Sequence, residues 1–443
     1  VYEIIYKLKK YAESGIKNYT HSVDLWMKNS GLIIDCDEKK NALRNLFKNS
    51  KVAFIYGAAG TGKSTMINYI SSLFKDKQKI FLANTNPAVE NLRRKVTAEH
   101  AEFVTITKFL SKDVSNDCDI LCLDECSTIS NRDMVRVLQR AQCKLLVLVG
   151  DIYQIESILF GNWFNIAYKV MPKDSVAELT RPHRTTVQGL IEVWNKVREI
   201  TEDRLEFITR NGLSSTLDES IFSRTEEDEI VLCLNYDGIY GINNINKFLQ
   251  SNNVNPSINW GVLSYKVGDP VLFNESNRFA PLVYNNLKGK ILQIEEEEDC
   301  IYFTIEVYTV LNELDVIGFD LELKESVTDE TSVIRFKVGR GGDGNDDNDN
   351  VENVVPFQVA YAISIHKAQG LEYESVKVVI TSEIEEMVSH NIFYTAITRA
   401  KSKLKIYWSP ETEKRILENM KVQFNDKDYQ LFKAKYKEAL LKS

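Results

Sequence analysis

Residues 52–64 read VAFIYGAAGTGKS: an apolar run at 52–56, then GAAGTGKS at 57–64. An apolar strand, a glycine-rich turn and a helix are what a phosphate-binding loop needs. Gly57, Gly60 and Gly62 let the backbone curl so that its N–H groups face phosphate oxygens. Lys63 brings a positive charge to the β- and γ-phosphates. Ser64 opens the helix with a hydroxyl suited to Mg²⁺. Met66, Ile67, Ile70 and Leu73 recur at helical spacing behind it. The stretch predicts a site for a nucleoside triphosphate in an α/β domain.

Working outward, the chain has 443 residues, enough for about three domains. Hydrophobic residues make up 44 % and charged residues 27 %, which fits a globular body with a sizeable core. No apolar run approaches the ~18–20 residues of a membrane span and no signal peptide opens the chain, so no membrane partner is expected. The first residue is Val rather than Met, as in a piece of a longer polypeptide. Seven cysteines, an odd number in a large chain, suggest reduced thiols and a cytoplasmic setting. Cys118, Cys122 and Cys126 are spaced by four along one strand. Even spacing predicts that they share a face, where packing explains them better than metal binding. The net charge of −8 argues mildly against nucleic acid, but the acidity is concentrated in the runs 295–299 and 341–352, read as solvated loops.

Residues 1–48 read as a helical segment. Apolar runs at 52–56, 79–83, 103–106, 120–123 and 145–149 suit parallel strands covered on both faces, giving a first α/β domain at 49–180. A second α/β domain is expected at 181–258 and 356–415. It has a strand at 230–234, a helix at 239–250, and strands at 376–381 and 404–408. A β-rich insert at 259–355 interrupts it, with strands at 269–273, 290–294, 301–310, 316–323 and 332–338. A mobile acidic loop at 340–352 ends the insert, and a C-terminal helix is expected at 416–443.

A phosphate-binding loop needs an acidic partner. Residues 120–125, ILCLDE, form an apolar strand ending in two carboxylates. Asp124 is placed to hold Mg²⁺ and Glu125 to act as general base on the attacking water. The next strand ends in Gly150–Asp151, and Gln154 beyond it can bond both the γ-phosphate and that water. Far downstream lie YAISIHKAQGLEYESVKVVI at 361–380 and NIFYTAITRA at 391–400. Arg399 precedes the basic run Lys401, Lys403 and Lys405 and is a candidate arginine finger. Arg181 and Arg184 in ELTRPHRT (178–185) are further candidates, and spacing alone does not choose between them.

The ordered set GAAGTGKS, ANTNPAVENL (83–92), LDECS (123–127), GDIYQ (150–154), LTRPHR (179–184), YAISIHKAQGLE (361–372) and YTAITRAK (394–401) resembles a superfamily 1 helicase core. The form of GDIYQ is closer to the RecD-like and Dda-like B group, with UvrD-like C-terminal motifs. The resemblance covers roughly 50–405. It implies two RecA-like domains with ATP hydrolysed between them, a single nucleic-acid strand bound across both, and a small SH3-like barrel as the insert. Position by position, it implies that Gly57, Ala58, Ala59, Gly60, Thr61, Gly62, Lys63, Ser64, Thr65, His183, Gly370 and Glu372 bind ATP. It implies that Ser64 and Asp124 hold Mg²⁺, and that Lys63, Asp124, Glu125, Gln154, Arg184 and Arg399 carry catalysis. The motif's arginine matches Arg184 rather than Arg181. Asn86, Pro87, Thr107, Ser364, His366 and Lys367 match segments that touch the nucleic-acid backbone, contacts that give affinity without sequence preference.

Two departures stand out. Lys39 stands about where relatives carry an adenine-reading Gln, which leaves ATP over GTP open. The connection between Leu110 and the strand entering Asp124 is too short for more than a tight hairpin, so a duplex-splitting wedge is not expected there. The leading expectation is a translocase or helicase on single-stranded nucleic acid, DNA favoured over RNA, moving 5′ to 3′. The alternative is a nucleic-acid-gated ATPase switch in a larger assembly, with a missing N-terminal region or a partner effector. No nuclease motif is evident.

Overall fold

The computed structural model describes residues 1–58, 60–111, 116–154, 162–181, 185–274, 278–280, 282–326, 328–340, 353–420, 429–430 and 432–435. The chain forms two compact units. The first comprises Val1–Arg204, Val388–Ser402 and Asn419–Ser443, the second Leu205–Met387 and Lys403–Glu418. This division differs from the expected boundaries, since 181–204 and 388–402 belong to the first unit.

The first unit is built on six strands: β1 (Val52–Gly57), β2 (Lys79–Ala83), β3 (Ala101–Thr105), β4 (Asp117–Leu123), β5 (Gln142–Gly150) and β6 (Val176–Leu179). Their order is β3-β2-β4-β5-β1-β6, and every pairing is parallel. A parallel sheet is buried on both faces, which accounts for the near-continuous apolar runs. Alternate side chains of β1 divide between two cores. Val52, Phe54 and Tyr56 face Ile4, Ile5 and Leu8 of the helix Tyr2–Tyr11 and Met134, Val137 and Leu138 of Asn131–Arg140. Ala53 and Ile55 face Leu43 of Asp37–Asn45 and Met66, Ile67 and Ile70 of Lys63–Leu73. Each such aliphatic side chain contributes roughly 1.5–3 kcal/mol by leaving water.

Several elements begin or end away from their expected positions. β3 stops at Thr105 instead of continuing through Ile106. Thr105 Oγ1 accepts from the Lys108 N–H at 3.2 Å and caps the short helix Ile106–Leu110. The three cysteines do not share a face. Cys122 lies in the core with Ile55, while Cys118 and Cys126 lie in the core with Phe54. Cys126 is past the strand, beyond the left-handed backbone of Glu125.

The second unit holds a five-stranded sheet in the order Ala362–Ser364, Glu229–Cys233, Tyr373–Val379, Ala400–Tyr407, Ser214–Ser215. Its helix Ile242–Ser251 starts at Ile242, with Gly241 as N-cap, rather than at Ile239, which sits exposed in the preceding turn. An antiparallel six-stranded sheet runs Glu322–Lys324, Ser332–Gly339, Cys300–Val307, Lys288–Glu296, Pro270–Phe273, Phe357–Val359. Strand Cys300–Val307 alternates strictly: Ile301, Phe303, Ile305 and Val307 point into an aromatic core with Tyr265, Phe273, Phe279, Phe336 and Phe357. The strand expected at 316–323 is reduced to Glu322–Lys324. Upstream, Asn312 Oδ1 accepts from the N–H groups of Leu314 and Asp315 and turns the chain instead. Most of the acidic loop 340–352 and of the helix expected at 416–443 lies outside the described residues; the described residues there are helical at Pro410–Asn419 and again at 429–430 and 432–435.

A buried carboxylate ties the antiparallel segment to the parallel sheet. Asp269 is fully buried and accepts from Gln250 Nε2 (2.5 Å), Asn253 Nδ2 (2.8 Å), the Lys266 N–H (2.9 Å) and Tyr361 Oη (2.8 Å). The Asp269–Tyr361 contact also pushes the tyrosine hydroxyl's pKa upward, after burial itself. Replacing Asp269 by Ala strands those donors in a dry site, at a cost of about 3 kcal/mol. Urea denaturation of Asp269→Ala should show that loss. A variant as stable as the parent would show that Asp269 does not fasten the two sheets.

Candidate active site

Parallel strands discharge their following loops at one edge, the edge of their carboxyl ends. In the first unit, β1 ends in the glycine-rich loop, β4 in Asp124 and β5 in Gly150–Asp151. β2 leads to Asn86 and β3 to Thr107. The sheet therefore gathers on one edge residues spread over nearly a hundred positions.

The loop has the curl that phosphate binding requires. Gly60 (φ +75°) and Gly62 (φ +83°) are left-handed, and the helix begins at Lys63. Thr61 is buried and its Oγ1 donates to Ala58 O at 3.0 Å. Lys63 Nζ donates to Gly57 O (2.8 Å) and Ala58 O (2.9 Å), which holds the ammonium over the loop. Ser64 and Thr65 follow in the first helical turn. Ala59 lies outside the described residues.

The acid pair leaves β4 in a strained turn. Asp124 N–H donates to Leu82 O at 2.9 Å, and Asp124 Oδ1 accepts from the Glu125 N–H at 2.8 Å. Glu125 is left-handed (φ +52°), which costs on the order of 1 kcal/mol for a non-glycine residue. Burial raises the pKa of Asp124, with Lys63 and Lys95 opposing. Burial also pushes Glu125 up to about 7. The Asp124 carboxylate pushes the same way, while Arg399, Lys63 and Lys95 pull down. Asp151 is buried and raised for the same reason, with Lys63, Arg198 and Arg399 as countercharges. Its Oδ1 accepts from the Tyr153 N–H at 3.0 Å.

Arg399 belongs to the first unit, as does the helix His390–Ile397 that leads to it. That helix is fastened to Gln188–Glu199 by His390 Nε2 against Val197 O (2.8 Å) and by Trp194 Nε1 donating to Ile397 O (3.0 Å). Asn391 Nδ2 donates to Gln154 O at 2.9 Å. The Arg399 guanidinium is 3 % exposed and donates from Nε to Thr395 O (3.0 Å) and from Nη2 to Thr398 Oγ1 (3.2 Å). Sequence reasoning singled out Arg399 and Gln154 but missed the link between them. Asn391 lies eight residues before Arg399, in the helix that ends at Ile397 just ahead of it, and that proximity is its only signal. Lys95 and Arg198 were missed too, since neither lies in a quoted motif.

The remaining expected residues divide between the units. Asn86 and Thr107 are exposed; Pro87 is buried in the helix Asn86–Lys95, capped by Thr85. In the second unit Ser364 is buried and its Oγ accepts from the Lys367 N–H at 3.2 Å, an internal turn bond rather than a free hydroxyl. His366 is exposed, and Lys367 Nζ donates to Gln358 Oε1 at 2.9 Å. Gly370 is left-handed (φ +81°), and the Glu372 carbonyl accepts from Lys288 Nζ at 3.3 Å. His183 and Arg184 lie outside the described residues. Lys39 is buried and its Nζ is 2.5 Å from Asp35 Oδ2, so it does not present its ammonium to solvent where a base would be read.

For a divalent cation the donor set fits. Among the described residues no group of three or more His, Cys, Asp or Glu side chains could hold a metal. A cation shared with phosphates needs less: one carboxylate, one hydroxyl and water. Asp124, a buried acid whose burial penalises its charge, and Ser64 supply that pair. Nor is any described helix long and apolar enough to cross a membrane.

A phosphate-binding loop, an acid pair and a buried arginine on one sheet edge define a P-loop ATPase. An AAA domain matches residues 36–218 and a UvrD-like helicase C-terminal domain matches 359–407. An uncharacterized protein of Methanocaldococcus jannaschii is 24 % identical over 83 % of this chain, which spans only 37 % of that protein. The RecBCD enzyme subunit RecD of Buchnera aphidicola is 23 % identical over 87 % of the chain and 78 % of its own length. The crystal structure of Pif1 helicase from Bacteroides with ADP-AlF3 and ssDNA superposes with a TM-score of 0.50 at 16 % identity, covering 85 % of this chain and 93 % of that one. Together these matches support a superfamily 1 helicase of the RecD and Pif1 type.

A general base at Glu125 would be disabled as falling pH protonates it, because a protonated acid cannot take the proton of water. The ATPase kcat/KM, which reports the free enzyme, should therefore be flat above pH 8 and fall about tenfold per unit below about 7. Glu125→Gln should bind nucleotide but lose hydrolysis by at least about 10²-fold. A profile unchanged down to pH 5 would remove Glu125 from this role.

Proposed function

We propose that this ATP-hydrolysing enzyme is a translocase and helicase that moves 5′ to 3′ along single-stranded DNA, each ATP turnover driving one step. The observation that carries the hydrolysis half of this reading is Glu125, and the RecD and Pif1 likenesses carry the single-strand half. Glu125 is a carboxylate brought to about 7 by burial and by Asp124, on the same strand edge as the phosphate loop and beside Arg399. An acid with that pKa is matched to general-base work at neutral pH.

In this reading the loop amides and Lys63 hold the β- and γ-phosphates, and the ATP-binding set is that of 57–65 with His183, Gly370 and Glu372. Ser64 and Asp124 would hold Mg²⁺, which would offset phosphate charge. Glu125 takes the proton of the attacking water. Gln154 orients that water, and Asn391 steadies the Gln154 backbone. Arg399, with Arg184, offsets the charge that builds on the γ-phosphate. Asn86, Pro87 and Thr107 in the first unit and Ser364, His366 and Lys367 in the second supply grips on the strand's backbone. The two parallel sheets are read as RecA-like and the antiparallel segment as an SH3-like barrel. The likeness to a DNA helicase, Pif1, and to a Pif1 structure with ssDNA favours DNA over RNA, and the resemblance to the RecD-like B group is the ground for the 5′-to-3′ sense.

One observation favours a second reading, a nucleic-acid-gated switch. The stretch from the helix Ile106–Leu110 to β4 at Asp117 is only residues 111–116, too short for a wedge domain. Such a protein would hydrolyse ATP on a single strand without parting a duplex.

Adding single-stranded DNA should raise the ATPase rate more than RNA does, and a 5′-tailed duplex should be unwound in preference to a 3′-tailed one. Strong DNA stimulation with no strand displacement would favour the switch. An ATPase rate indifferent to DNA and RNA alike would sink both readings. Arg399→Ala should lower kcat by about 10³-fold while moving KM for ATP little; a proportional loss of both would make Arg399 structural.

A further inference from the structure

The first turn of the helix Asp37–Asn45 carries two adjacent charged residues with unusual placements. Lys39 is 1 % exposed, and its ammonium is anchored by Asp35 one turn earlier, at 2.5 Å. A buried lysine keeps its charge only when paired. Its amine packs against the phosphate loop itself: a Cβ built on Gly62 would fall 2.5 Å from Lys39 Nζ and 3.0 Å from Lys39 Cε. Gly62 is the left-handed residue that turns the loop into the helix at Lys63. The neighbouring Glu38 carboxylate accepts from the Thr180 N–H (3.0 Å) and Oγ1 (2.7 Å), just past β6. One helical turn thus braces both the phosphate loop and the start of the segment that carries Arg184.

We propose that Lys39 is a positioning residue for nucleotide binding. Its ammonium, held by Asp35, props Gly62 in the left-handed conformation that aims the following loop amides at phosphate. The Lys39–Asp35 pair adds no net charge to the site; the ion pair is what fixes the amine against Gly62, so both the bulk and its anchor are needed. Lys39 occupies the space a side chain on Gly62 would need, which makes glycine obligatory there for a second reason besides its φ. This inference rests on the reading of 57–64 as the phosphate site.

The test is a double-mutant cycle of Lys39→Ala and Gly62→Ala, with Lys39→Met as a variant that keeps bulk but not charge. ADP affinity is read by calorimetry, and kcat and KM for ATP by steady-state turnover. Lys39→Ala and Lys39→Met should weaken ADP and raise KM about tenfold, with kcat falling less than KM rises. Gly62→Ala should be more damaging with Lys39 present than in the Lys39→Ala background, by about threefold or more. The strain of a left-handed alanine is common to both backgrounds and cancels, so the excess reports the contact. ADP affinity within about twofold of the parent in both Lys39 variants, or additive effects around the cycle, would overturn the proposal. If the parent protein itself bound no ADP, the phosphate-site reading would fail instead, which is a different result.

Discussion

Charges brought out of water together on one edge of a parallel sheet set the terms for the rest of the first unit. Asp124, Glu125 and Asp151 stand at the ends of neighbouring strands β4 and β5, and burial raises all three. Lys63 opposes that rise at every one of them, and Arg399 at two. Isolated, any of these acids would protonate rather than remain charged in the interior. These two cations oppose part of that penalty, and Glu125 comes to about 7. The covering helices and the two apolar cores keep that edge partly dry.

Local chemistry was legible in the sequence wherever it is written in consecutive residues. GAAGTGKS needs only its own backbone, so Gly60, Gly62 and Lys63 stand as expected. Asp124 and Glu125 follow an apolar strand whose depth in the sheet its own composition announces. Features set by distant partners were not legible. Nothing near Asn391 says that its amide will meet the Gln154 carbonyl, and nothing near residue 388 says that the segment groups with residues more than two hundred positions earlier. Lys39 is instructive: the sequence puts it about where relatives carry an adenine-reading Gln, but where its amine faces depends on Asp35 and on the bare face of Gly62. Boundaries slipped where a side chain outcompeted the hydrophobic pattern, as Thr105 does by capping and Asn312 by turning the chain.

The two units solve different burial problems. The first covers both faces of its sheet with helices and places its polar residues at an edge. The antiparallel segment of the second buries one face in a cluster of aromatic rings and leaves the alternate side chains toward water, a pattern read directly along Cys300–Val307. Between that segment and the parallel strands, Asp269 acts as a fastener made of a single carboxylate and four donors.

The antiparallel sheet also has its entry and exit strands side by side: Val271 is paired with Val359 and Phe273 with Phe357. Neighbouring strands lie only about 5 Å apart. To the parallel sheet, everything between those strands is a single closed loop, whatever its length. The entropy of closing such a loop grows only logarithmically with the number of residues in it. Evolution could therefore lengthen, shorten or exchange this module through one doorway while the pairing of Ala362–Ser364 with Glu229–Cys233 stayed in register.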